Sequence, residues 1–140
     1  MEIIYDKFIH KLKTVRNKNR ATLVYLWGDL GSGKTTFTKN LCKHLGLGVD
    51  ITSPTFTILK RYSFETLGFK NLIHIDAYRL DGYNDLLKIR FDDYLQSKEN
   101  LIFIEWPSII ENENLKADMN IRFSYVESNT DRSIIIDNIL

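Results

Sequence analysis

Gly28-Asp29-Leu30-Gly31-Ser32-Gly33-Lys34-Thr35 fits the pattern G-x-x-x-x-G-K-[ST] at every fixed position. The residue types follow from the chemistry of holding a phosphate. Glycines let the backbone enter left-handed conformations, so successive N–H groups can converge on one anion. A helix opening at the end of the stretch adds orphan N–H donors and the positive end of its dipole. Lys34 supplies a point charge for the β- and γ-phosphates, and the Thr35 hydroxyl is a hard oxygen ligand for Mg²⁺. The candidate phosphate contacts are therefore Gly28, Gly31, Ser32, Gly33, Lys34, Thr35 and Thr36. A dinucleotide-binding G-x-G-x-x-G is excluded, because Gly31-Ser32-Gly33 is followed three residues later by Thr36.

Working outward, residues 22–27 form a continuous apolar run with β-branched and aromatic content that stops at Gly28. Such a run suits a strand buried on both faces of a parallel sheet. From 34 to 45 the period becomes helical, with Phe37, Leu41, Cys42 and Leu45 on one side and Gly46 and Gly48 closing the helix. Strand, glycine-rich loop and helix are the context that the phosphate chemistry requires. Upstream, Ile4, Phe8, Ile9, Leu12 and Val15 give an amphipathic helix over 3–16. Downstream, 51–64 starts polar around Pro54 and then alternates as a strand. Two apolar runs, 72–75 and 101–104, each end on a carboxylate, and 80–95 between them reads as helix. Residues 119–126 and 133–139 read as two strands joined by a turn near 129–131. The expected fold is α/β: a three-layer P-loop NTPase fold with a mainly parallel central sheet and a C-terminal antiparallel hairpin.

The chain has 140 residues and neither repeat nor low-complexity linker, so 1–140 is expected to be a single domain. A net charge of +1 excludes a strong whole-molecule field for capturing a polyanion, so any work on nucleic acid is expected to go through a partner. Cys42 is the single cysteine, which excludes an intramolecular disulfide. No basic segment followed by an apolar stretch opens the chain, no apolar run approaches membrane-spanning length, and a cytoplasmic location is expected.

Asp76 and Glu105 compete for the acidic position that sits at the end of a strand beside such a loop and holds the magnesium shell. Periodicity does not choose between them. His74 alternates with the apolar residues of its strand and reads as a satisfied core or sheet-face histidine rather than a metal ligand. Trp27 and Cys42 read as packing, and Trp106 reads as packing ahead of a place over the nucleotide. Thr52-Ser53-Pro54-Thr55 stands where nucleotide switches place a γ-phosphate sensor.

Four segments stand in one order: G-D-L-G-S-G-K-T at 28–35, S-P-T-F-T at 53–57, H-I-D-A-Y-R-L at 74–80 and I-E-W-P at 104–107. That set resembles the TsaE family, the ATPase subunit of bacterial threonylcarbamoyladenosine tRNA modification. The resemblance is carried by residues 21–107, and its specificity lies in the combination of S-P-T, D-x-Y-R and E-W-P. It implies ATP bound by Gly31 to Thr35, with Thr35 and Glu105 holding Mg²⁺. Asp76 would act on the attacking water or the metal shell, and Ser53 to Thr55 would form the other switch. Lys34 and Thr55 would join Asp76 in the catalytic set, and Arg132 would approach the nucleotide from the last strands. It also implies TsaB and TsaD as protein partners, with tRNA engaged indirectly and ATP hydrolysis resetting the complex. Two departures are visible. The sequence starts almost directly on a helix where the family has a short preceding strand, and a glycine common in the family's helical segment is Arg90 here.

Two other functions fit the motif. A small-molecule P-loop kinase carries an arginine-rich lid, whereas arginines 16, 20, 61, 79, 90, 122 and 132 are dispersed. A nucleotide-gated interaction module would bind without turnover. Acceptor screening separates the first, and single-turnover hydrolysis the second.

Overall fold

The computed structural model describes residues 2–28, 33–47, 58–125 and 132–137. Gly31, Ser32, Ser53, Pro54 and Thr55 lie outside the described residues. The elements are α1 (Glu2–Val15), β1 (Thr22–Trp27), α2 (Lys34–His44), β2 (Leu59–Thr66), β3 (Phe69–Asp76), α3 (Tyr83–Lys88), α4 (Phe91–Leu95), β4 (Asn100–Glu105), β5 (Met119–Tyr125) and β6 (Arg132–Asp137). Short 3-10 turns lie at Ala77–Arg79 and Pro107–Ile110.

Among the described residues six strands form one sheet in the order β2-β3-β4-β1-β5-β6. The four inner strands run parallel, and each edge strand pairs antiparallel with its neighbour. The sheet is thus α/β and mainly parallel, and it closes on the expected antiparallel C-terminal pair. The antiparallel β2–β3 pair was not legible beforehand. It turns through Leu67 and Gly68, both at positive φ (56° and 85°), with Thr66 opposite Phe69. Positive φ at both central residues is the two-residue turn whose twist matches the flanking strands.

Burial follows strand alternation. Val24 and Leu26 of β1, Leu72 of β3 and Leu101 and Phe103 of β4 pack with Tyr5, Phe8 and Leu12 of α1 and Phe37 and Leu41 of α2. Leu23, Tyr25, Ile73, Ile75, Ile102 and Ile104 point the other way, against Leu86 of α3 and Phe91 of α4. Two apolar clusters back to back on one sheet make three layers. Phe8 seats its ring edge-on against Phe37 and Phe103, at centroid distances of 5.5 and 5.9 Å. Truncating a ring so buried costs about 3–5 kcal/mol, so the α1–α2–β4 contact anchors the layer that carries the glycine-rich loop. No helix among the described residues is long and apolar enough to cross a membrane.

α2 stops as its sequence indicates. Leu47 N–H bonds Cys42 C=O and Gly46 N–H bonds Lys43 C=O, both at 3.0 Å, with Gly46 at φ 76°. This paired closure needs a left-handed residue after the cap, which glycine adopts without a Cβ clash. Cys42 packs in the core as expected, and burial pushes its thiol up to about 11.

The expected helix over 80–95 is divided instead, with Arg90 in the left-handed region (φ 65°, ψ 32°) between α3 and α4. Leu86 and Phe91 are both fully buried. In one continuous helix they would lie about 140° apart around the axis, at 100° per residue. The break turns both side chains onto the sheet.

Candidate functional site

All the parallel strands end at one edge of the sheet, and α2 starts there. Gly33 precedes the helix at φ 104°, a left-handed conformation that a side chain would strain. Gly33, as the N-cap, has no side chain with which to cap the N–H groups that open α2. Lys34, Thr35 and Thr36 therefore present backbone donors and a helix dipole to the space beyond the loop. Gly28 follows β1 directly, and its carbonyl accepts a hydrogen bond from Lys34 Nζ. Lys34 is 5% exposed, and its ammonium lies 4.4 Å from the centroid of the Trp106 ring. A charge buried on a carbonyl and an aromatic face is oriented before any anion arrives.

Strand order decides which carboxylate meets this helix. β4 pairs with β1, placing Glu105 opposite Leu26, whereas β3 lies one strand further out with Asp76 opposite Glu105. Glu105 is 4% exposed, and its Oε2 accepts a 2.9 Å hydrogen bond from Thr35 Oγ1. Asp76 takes a different job. Its Oδ1 accepts the Tyr78 N–H at 3.0 Å, capping the 3-10 turn Ala77–Arg79. Its own N–H donates to Ile58 C=O at 2.9 Å, the first described residue after S-P-T-F-T. Burial holds the Asp76 carboxyl above the ordinary aspartate range, and the Glu105 charge adds to the shift. The Tyr78 N–H, His74 and Lys34 oppose it.

His74 is fully buried on β3, as expected of a core histidine, but departs from a satisfied one: Nε2 lies 2.6 Å from Glu105 Oε2, while Nδ1 has no hydrogen-bond partner among the described residues. The signal was present in the period of two, which puts His74 and Asp76 on one face of β3, as it puts Phe103 and Glu105 on one face of β4. Trp106 likewise departs from simple packing. At φ 59° and ψ 49° it turns the chain directly after Glu105, and its ring stands against Lys34 and, at 5.2 Å between centroids, against Tyr78. Strain of this kind in a non-glycine residue is concentrated at functional sites. Trp27 is half-buried rather than core. Its Nε1–H donates to Asn120 Oδ1 at 2.7 Å, and the Arg122 guanidinium lies 5.4 Å from its ring centroid.

Of the expected site residues, the structure gathers Gly28, Gly33, Lys34, Thr35, Asp76 and Glu105 at one end of the sheet, with Thr36 exposed on the first turn of α2. Arg132 opens β6 opposite Tyr125, and its side chain lies outside the described residues. The oxygens of Thr35 and Glu105 are the hard donors that Mg²⁺ takes, and an ion with few protein ligands completes its shell with phosphate oxygens and water. The donor set fits that ion, beside a helix terminus and a lysine that fit an anion.

The family model described as "Threonylcarbamoyl adenosine biosynthesis protein TsaE" matches residues 5–134. A protein of Rickettsia felis named tRNA threonylcarbamoyladenosine biosynthesis protein TsaE is 37% identical over 125 residues, covering 82% of this chain and 70% of that one. Proteins of the same name from Bacillus subtilis and Haemophilus influenzae are 40% and 32% identical, with matches spanning 63% and 77% of this chain. Those matches span 52% and 66% of the relatives' own lengths. The crystal structure of Bacillus subtilis YdiB superposes with a TM-score of 0.63 at 28% identity, covering 97% of this chain and 79% of that one.

Proposed function

The chain belongs to the TsaE family, whose model spans residues 5–134, and on that premise we propose that it is a P-loop ATPase subunit. It binds Mg-ATP and, with TsaB and TsaD partners, supports threonylcarbamoyl modification of the tRNA adenosine next to the anticodon. The observation that carries the reading is the Thr35–Glu105 hydrogen bond at the start of α2, beside the buried Lys34 ammonium. A phosphate-directed cation and a hard-oxygen pair at one helix terminus suit a nucleotide triphosphate with its metal. Magnesium, when bound, supplies charge neutralisation across the β- and γ-phosphates.

Each residue then has a separable task. The α2 backbone donors and Lys34 bind and orient the phosphates. Thr35 and Glu105 hold the cation. Asp76, at the neighbouring strand end, faces the water that attacks the γ-phosphate. Burial makes its carboxylate a better proton acceptor than an exposed aspartate. Gly31, Ser32 and Ser53 to Thr55 complete the proposed site by their place in the motifs, and Arg132 by its place at the start of the last strand.

The test is isothermal titration with ATP and Mg²⁺, paired with steady-state phosphate release. Lys34→Ala is expected to lower ATP affinity by about one to two orders of magnitude, because it removes a charge-assisted hydrogen bond to phosphate. A folded Lys34→Ala chain with unchanged affinity ends the nucleotide assignment. Phosphate appearing on a small acceptor instead of in water redirects the reading to a kinase.

A further inference from the structure

We propose that His74 is the positioning residue of the cation site: its Nε2–H holds Oε2 of Glu105 against the Thr35 hydroxyl and leaves Oε1 to face the metal shell. The inference rests on the proposed magnesium role of Thr35 and Glu105 and extends it to a residue given neither a nucleotide nor a metal contact above.

The protonation pattern follows from the partners. An ionised carboxylate only accepts hydrogen bonds, so the 2.6 Å contact requires the proton on His74 Nε2. Oε2 then receives two donors, His74 Nε2–H and Thr35 Oγ1–H. Oε1 receives none among the described residues. With one oxygen committed to the protein, the carboxylate cannot rotate without breaking both bonds, and the other oxygen keeps a fixed direction.

The cost of His74 argues against a packing role. A fully buried imidazole whose Nδ1 has no partner among the described residues carries a desolvation penalty of about 1–3 kcal/mol. Leucine, which occupies the same face of β3 at Leu72, would fill the core without it. What leucine lacks is the Nε2 donor. The donor is also mounted rigidly. His74 lies opposite Phe103 on β4, so it reaches Glu105 diagonally across two paired inner strands. Groups that orient a metal ligand in this way typically change metal affinity by about 10–100-fold when removed.

The experiment titrates Mg²⁺ into the full chain with ATP present, and measures ATP affinity in EDTA as its reference. His74→Leu is expected to raise the Mg²⁺ concentration for half-maximal enhancement about ten-fold or more. Its ATP affinity in EDTA should stay within about two-fold of wild type, because no phosphate contact is touched. His74→Gln, which returns an N–H donor at similar reach, should recover the Mg²⁺ requirement to within about three-fold. An unchanged requirement in His74→Leu overturns the proposal. So does a parallel loss in EDTA, which would mark a purely structural role, or a glutamine variant no better than leucine. Should His74→Leu show no cooperative melt, His74→Gln decides alone, and a ten-fold loss there counts against the proposal. Glu105→Gln is run alongside. If it leaves the Mg²⁺ dependence intact, the magnesium reading of the site falls, and not merely the part given to His74.

Discussion

Burial and the neighbouring Glu105 charge both disfavour ionised Asp76, and the Tyr78 N–H offsets them only in part. The folded-state pKa lies above the unfolded one, so the folded chain holds its proton to higher pH. Folding stability from this group therefore falls as pH rises from the ordinary aspartate value through the raised one, and stays lost above it. Asp76→Asn keeps the Oδ1 acceptor for Tyr78 and removes the charge. Without nucleotide, this variant should be more stable than wild type at neutral pH, with the gain disappearing below about pH 4. Urea unfolding across that range reads the difference, and a gain independent of pH would contradict the assigned cause. The same variant should retain ATP binding and lose hydrolysis, which makes Asp76 a site where stability is exchanged for chemistry.

Among the elements, the junction between α3 and α4 carries a strain that the fold does not remove. Arg90 sits in the left-handed region, which costs a side-chain-bearing residue about 1–2 kcal/mol. Its ion pair among the described residues, Nε to Asp93 at 3.1 Å, joins side chains 81% and 63% exposed and compensates little. Glycine relieves the strain but widens the unfolded ensemble by about 0.5–1 kcal/mol. Arg90→Gly should thus stabilise the chain by up to about 1 kcal/mol. Arg90→Val, β-branched at the same φ, should lose about 1 kcal/mol or more. Thermal unfolding of both variants gives the order, and a valine variant as stable as the glycine one would mean the junction relaxes. The glycine that the resemblance leads one to expect at this position is the residue that the observed φ favours.

At the scale of the whole molecule, a net charge of +1 offers no general attraction for RNA. That balance fits a chain that reaches tRNA through the proposed TsaB–TsaD partner. The isolated protein is expected to release phosphate slowly, and stoichiometric TsaB–TsaD to raise the rate, because its sequence carries a phosphate-binding motif and the proposed switch segment at 53–55 but no arginine-rich lid. Thr55→Ala should reduce the partner-stimulated rate more than ATP affinity. Phosphate release measured with and without the partner checks both statements, and fast turnover insensitive to the partner would assign an independent enzyme.

Much of this molecule is legible from local pattern alone. The strand at Thr22–Trp27 coincides with its apolar run, and α2 begins at Lys34 and ends before Gly46, where motif and period place it. The two strand-end carboxylates are equally visible, since period-two alternation and a terminal acid are properties of a few consecutive residues. Spacing along the chain does not say which strands become neighbours, and that relation lives only in the sheet. By inserting β4 between β1 and β3, the fold gives Glu105 to Thr35 and sets Asp76 one strand, about 4.8 Å, further away. The same insertion brings His74, which its own strand presents as core, into the candidate site. It also brings Trp106, through a left-handed turn at the end of β4, onto Lys34. Local pattern determined the phosphate motif and most of the elements, the break at Arg90 apart, whereas hydrogen-bond partners across strands were decided by tertiary order, because each partner is chosen by a neighbour distant in sequence.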